Sequence, residues 1–143
     1  MLVSDVMHAC TIVDAGEAVS EVAKLMDEHL TSAVLVRKDG VITGIMTERD
    51  ILRKVVAKGK DPEHISIGQV MSMPLVTISE NASLLEASEL MEQKGIRRLV
   101  VTVGEQIRGI VNTTTISNNM KYITARDRLY ARPSYKLQEI GFF

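Results

Sequence analysis

Tryptophan is absent from this chain, and three Tyr and two Phe make up its whole aromatic content, 3% of 143 residues. Any core must therefore be aliphatic, drawn from Val, Ile, Leu, Ala and eight Met. The same scarcity removes the stacking platforms on which single-stranded nucleic acids are commonly bound. A single cysteine, Cys10, excludes an intramolecular disulfide framework. No excess of one charge exists either: 17 Lys and Arg face 18 Asp and Glu, for a net charge of -1. That balance excludes a globally basic nucleic-acid binder and leaves only a local basic patch open. No apolar run approaches the roughly 18 residues a membrane helix needs, and no charged start followed by an apolar stretch reads as a signal peptide. The expectation is a soluble, cytoplasmic protein with no membrane role.

What the chain does have is 45% hydrophobic content and an internal repeat. That content at this length suits one globular unit or two very small ones. Shifted by 65 positions, Leu25-Met26 falls on Leu90-Met91, Val36 on Val101, Ile42 on Ile107, Gly44-Ile45 on Gly109-Ile110 and Ile51 on Ile116. Val6-Met7 falls on Val70-Met71 at a shift of 64, so a single-residue length change separates that dipeptide from the following helix. A duplication of this size requires the fold to be read one repeat at a time.

In the first repeat, "EAVSEVAKLMDEHL" places Val19, Val22, Ala23, Met26 and Leu30 along one helical face. "AVLVR", "KDG" and "VITGIM" predict two short strands joined by an Asp-Gly hairpin turn. "ERDILRKVVAKG" predicts a second helix with Ile51, Leu52, Val55 and Val56 on its apolar face and Gly59 as its stop. The second repeat follows the same order: a helix in "ASLLEASELMEQKG" ended by Gly95, strands in "RLVVTV" and "IRGIVN", and a helix from about Thr113. The fold class is α/β (α+β), two β-α-β-β-α repeats packed through their sheets as a pseudo-two-fold module, because units this small cannot cover their own apolar faces. The expected boundaries are repeat 1 at 1–60, a linker at 61–69 carrying Pro62 and Gly68, repeat 2 at 70–122 and a tail at 123–143.

The order of elements, the duplication, the "SDVM" and "GQVM" openings, "GIRRLVV" and the "GIMTERDI" segment together resemble the tandem cystathionine β-synthase (CBS) domain pair, or Bateman module. The resemblance covers roughly Leu2 to Met120. It implies a non-catalytic regulatory module that binds adenine nucleotides between its repeats, dimerises into a disc of four repeats and reports to an effector protein not identified by the sequence. It also implies that a Thr/Ser-x-x-Asp element carries a nucleotide site, with the Asp on the ribose hydroxyls.

That element is Thr47 to Asp50. By itself, Thr followed three residues later by an acid at the start of an apolar helix is a capping box, although the box prefers Glu or Gln in last place. The second repeat is an internal control, since "GIVNTTTI" has Asn112 and Thr115 at these positions. Asn112 can cap, but Thr115 brings no carboxylate, so one main site per chain is expected. An acid can accept bonds from both vicinal ribose hydroxyls, as in dinucleotide-binding folds. By the resemblance, Arg97 and then Arg98 serve the phosphates and converge with Asp50 on one ligand, and Ile45 and Pro74 flank the adenine. Cations on the phosphates favour AMP, ADP or ATP and disfavour S-adenosylmethionine.

Other features carry less. His8 and Cys10 lack a second metal-like cluster, His29 falls at a helix end and His64 in the linker, so no metal is expected. No nucleophile or base can be named. Between Lys121 and Lys136 stand Arg126, Arg128 and Arg132 against Asp127, a local charge of +4, with Tyr122, Tyr130 and Tyr135 among them and Phe142 and Phe143 at the end. The alternative function is therefore a structural or interaction protein with a vestigial pocket, whose basic tail docks a protein or, less favoured, a nucleic acid.

Overall fold

The computed structural model describes residues 1–121. The expectations placed on Arg126, Arg128, Arg132, Lys136, the three tyrosines and the two terminal phenylalanines lie outside the described residues. The chain forms two compact units. The first comprises His8–Thr77; the second comprises Met1–Met7 together with the described residues from Ile78 to Lys121. In order, the elements are α1 (Val3–Val6), β1 (Ile12–Asp14), α2 (Val19–Glu28), β2 (Ala33–Lys38), β3 (Val41–Thr47), α3 (Glu48–Ile51), β4 (Thr77–Ser79), α4 (Leu84–Lys94), β5 (Arg98–Val103), β6 (Gln106–Asn112) and α5 (Thr113–Asn118). A π-helical turn, Leu52–Val56, extends α3, and a 3-10 turn, Ile67–Gln69, precedes β4. This mixed α+β architecture contains two three-stranded sheets, β1-β2-β3 and β4-β5-β6.

In the first sheet, β1 runs parallel to β2 and β2 antiparallel to β3. Asp39 and Gly40 turn the β2–β3 hairpin with φ of 51° and 78°, the positive pair required by the tight turn that matches strand twist. The duplication extends to irregularities: the register slips after Val36 in the first hairpin and after Val101 in the second. Val13, Val19, Val22, Met26, Val34, Val36, Met46, Val55, Ile67, Val70 and Met71 form the aliphatic core of the first unit.

Each unit takes its opening turn from the other repeat's sequence. Ile67 and Gly68 donate their N–H groups to the carbonyls of Glu17 and Ala15, both at 2.9 Å. In the second unit, Val3 and Ser4 donate to Ala82 and Glu80, at 2.8 and 2.9 Å. These are equivalent positions of the two repeats, so the short helical openings satisfy the same backbone acceptors in exchange. A short turn whose acceptors lie elsewhere in sequence leaves little periodicity to read.

Two apolar-face expectations are corrected. Helix α2 ends at Glu28, and Leu30 lies beyond it with φ 52° and 92% exposure. The chain has already left the helix there: Thr31 N–H bonds back to the Met26 carbonyl at 3.0 Å, closing the left-handed stop that Gly95 forms in the second repeat. Leu52 and Val56 are exposed while Val55 is fully buried: Ile51 and Val55 share the side turned to the core, and Leu52 and Val56, one position further on, fall together on the side turned to solvent. Gly59 stops the segment as expected, with φ 65°.

In the loop after it, Asp61 accepts from Glu63 N–H at 2.9 Å and from the His64 ring at 2.7 Å, which hold its carboxyl below its ordinary pKa. On the first sheet, the Asp14 hydrogen bond and charge raise the pKa of Arg37.

Candidate functional site

Strand β3 delivers Thr47 to the start of α3, and the local chemistry of that junction is fully realised. Asp50 Oδ2 accepts from Thr47 N–H at 2.9 Å and from Thr47 Oγ1 at 3.2 Å, while Asp50 N–H donates to Thr47 Oγ1 at 3.3 Å. Both arms of a capping box are present. In the second repeat, Asn112 Oδ1 accepts from Thr115 N–H at 2.9 Å and from Thr115 Oγ1 at 3.1 Å. Asn112 thus caps α5 without an acid, as its position predicts.

Asp50 does more than close the cap. Its Oδ1 accepts from Ser72 Oγ at 2.9 Å and pairs with Lys54 Nζ at 3.0 Å. Lys54 also donates to the Val70 carbonyl at 2.9 Å and to Ser72 Oγ at 3.3 Å. Asp50 is 8% exposed, whereas the Lys54 side chain is 44% exposed and Ser72 lies at the surface. The result is a carboxylate at the edge of solvent with one oxygen turned to the helix and the other to two polar side chains.

Close backbone approach makes this arrangement possible. Ile45 and Ser72 exchange N–H···O bonds of 3.1 and 2.8 Å. A Cβ on neighbouring Gly44 would lie 2.6 Å from Met71 Sδ and 3.0 Å from the Ser72 carbonyl, so glycine lets the 70–72 segment sit against β3.

Of the residues singled out from sequence, Thr47, Asp50 and Ile45 come together in the first unit, and exposed Pro74 follows two residues after Ser72. Arg97 and Arg98 belong to the second unit. Arg98 opens β5 opposite Asn112. Exposed Arg97 lines a cavity of about 430 Å³ with Met91, Gly95, Thr113 and Ile116. A cavity of the same volume occupies the equivalent place in the first unit, beside Met26, Leu30, Glu48 and Ile51. Asp50 lines neither. Sequence reasoning missed Lys54 and Ser72. Lys54 had a signal, the acid-to-lysine spacing of four that brings helical side chains together. Ser72 had none, being 22 residues from Asp50 and joined to it only through sheet-edge pairing.

Among the described residues, no group of three or more His, Cys, Asp and Glu could hold a metal ion. Cys10 Sγ contacts the Ala33 carbonyl at 3.6 Å, and His8 Nδ1 lies 3.3 Å from the Ala9 carbonyl. No helix of the described residues is long and apolar enough to cross a membrane.

The family model for the CBS domain matches residues 3–57 and again 67–122. The chain belongs to the CBS-domain family and is a tandem-pair regulatory module. Uncharacterized protein MK0525 of Methanopyrus kandleri is 39% identical over 111 residues, which cover 76% of this chain and 57% of that protein. This chain therefore matches little more than half the length of that relative. Hypoxic response protein 1 of Mycobacterium tuberculosis is 30% identical over 118 residues, covering 81% of this chain and 82% of that one. A solved structure of Hypoxic Response Protein I with two coordinated zinc ions superposes with a TM-score of 0.70 at 30% identity, covering 82% of this chain and 98% of that one. A hexameric CBS-CP12 protein from bloom-forming cyanobacteria superposes with a TM-score of 0.80 at 26% identity, covering 91% and 77%.

Proposed function

We propose that this chain senses an adenine nucleotide at a single main site built around Thr47 and Asp50, and that it does so without catalysis. The observation that carries the reading is the second oxygen of Asp50. A helix cap uses only Oδ2, and the second repeat caps its helix with Asn112 and no acid at all. Oδ1 is instead turned toward Ser72 and Lys54 at the surface, where a ribose diol would find an acceptor. Ile45 and Pro74 are assigned to the adenine, and Arg97, with Arg98, to the phosphates. AMP, ADP and ATP are the proposed ligands. The zinc ions belong to the structure of Hypoxic Response Protein I and are not proposed for this chain.

Binding signals only if the ligand has different affinity for two conformations of the module, and its reader would be an effector protein. Two copies are proposed to assemble into a four-repeat disc within the cytoplasm. Calorimetric titration of nucleotide-free protein with AMP, ADP, ATP and S-adenosylmethionine tests the reading. The expected result is saturation near one nucleotide per chain, weakened about tenfold or more by Asp50→Ala because hydrogen bonds to a charged group contribute roughly 1.5 to 3 kcal/mol each. Absence of binding by all four would return Asp50 to the role of a cap and leave the interaction-protein reading.

A further inference from the structure

We propose that Lys54 is an internal counter-ion which the ligand displaces from Asp50, and that this exchange selects adenosyl ligands carrying negative charge. The inference rests on the nucleotide reading above. A carboxylate offers about four acceptor positions, and at Asp50 four donors of the chain already face it: Thr47 N–H, Thr47 Oγ1, Ser72 Oγ and Lys54 Nζ. Two ribose hydroxyls therefore cannot be added; they must replace two of these.

The four donors are not equally replaceable. Thr47 N–H is main chain at the helix start, and Thr47 Oγ1 also receives Asp50 N–H, so removing either dismantles the cap of α3. Both donors on Oδ1 are side chains at the surface, and Lys54 reaches it through a flexible four-carbon stem with 44% exposure. Replacement is thus directed to Oδ1.

Displaced from Asp50, the ammonium group does not have to leave. It remains within reach of the Val70 carbonyl at 2.9 Å, a neutral acceptor that holds it beside the site without satisfying its charge. A phosphate on the same ligand restores the lost ion pair. A neutral nucleoside does not, and a sulfonium adds a second positive charge. Selectivity then arises from one lysine that changes partners, with its competitor and its beneficiary on the same molecule.

Titration of the full chain with AMP and with adenosine tests this, using wild type, Lys54→Gln, Lys54→Arg and Asp50→Asn, each first shown by circular dichroism to be folded. Lys54→Gln is expected to tighten adenosine and to change AMP less, so that the preference for AMP over adenosine falls about tenfold, and Lys54→Arg is expected to keep that preference within about twofold of wild type. The proposal is overturned if Lys54→Gln keeps the wild-type preference for AMP over adenosine, or if Lys54→Arg loses as much of that preference as Lys54→Gln. AMP binding by Asp50→Asn equal to wild type would overturn the nucleotide site itself, a result distinguishable from failure of Lys54 alone.

Discussion

Asp50 is the single charged residue among the buried positions described, and each of its oxygens has a separate task. The two can be separated by substitution. Asp50→Ala removes the acceptor for Thr47 N–H as well as the partner of Lys54, and is expected to lower unfolding free energy by about 1 to 2 kcal/mol, the range for lost caps and their charge-assisted bonds. Asp50→Asn keeps an acceptor oxygen and should cost less than half as much in urea denaturation. Equal losses would mean that the Lys54 pair, not the cap, supplies the stability. Gly44 makes a second residue-scale case. Gly44→Ala would drive a methyl into Met71 Sδ and the Ser72 carbonyl. Met71 can swing aside, but the carbonyl belongs to the backbone pairing, so a loss of about 1 to 3 kcal/mol is expected, again by denaturation. The Thr47–Asp50 box and its Asn112 counterpart were legible because caps are local chemistry. Ser72 was not, since a contact across 22 residues is made by strand-edge geometry and leaves no trace in spacing.

Elements repeat the lesson with different physics. The apolar spacing of α2 located the helix, yet extended its face to Leu30, two residues past its end at Glu28. The left-handed stop is written openly in the second repeat as Gly95, φ 64°, and hidden in the first under Leu30, φ 52°. A side chain in that conformation costs roughly 1 to 2 kcal/mol, partly offset by the larger unfolded-state freedom of glycine. Leu30→Gly is therefore expected to raise stability by about 0.5 to 1 kcal/mol in urea unfolding, since its side chain is 92% exposed and loses no burial. Destabilisation instead would show that Leu30 is covered in solution. The π-helical turn Leu52–Val56 was illegible for another reason: its sequence, with apolar residues at 51, 52, 55 and 56, fits an ordinary helix equally well. Along it Leu52 and Val56 are exposed, and Lys54 reaches Asp50, Val70 and Ser72.

At the scale of the whole molecule, duplication was the most readable property, because the 65-residue shift aligns core positions, hairpin slips and helix stops together. What spacing could not convey was the exchange of opening turns, in which Val3–Val6 serves the second unit and Ile67–Gln69 the first. Its consequence is a covalent path from the site to the second unit, since Val70 and Ser72, which touch Lys54 and Asp50, stand a few residues before Ile78. Light scattering after size exclusion should give twice the mass of one chain if the proposed pair of copies forms, and a single-chain mass would contradict it. The central claim is that the first repeat, through Asp50, receives an adenine nucleotide. Amide chemical-shift mapping of isotope-labelled protein during AMP titration tests it most directly: the account predicts saturable shifts concentrated in Gly44–Lys54 and Val70–Ser72, and shifts absent there, or confined to Asn112–Thr115, would contradict it.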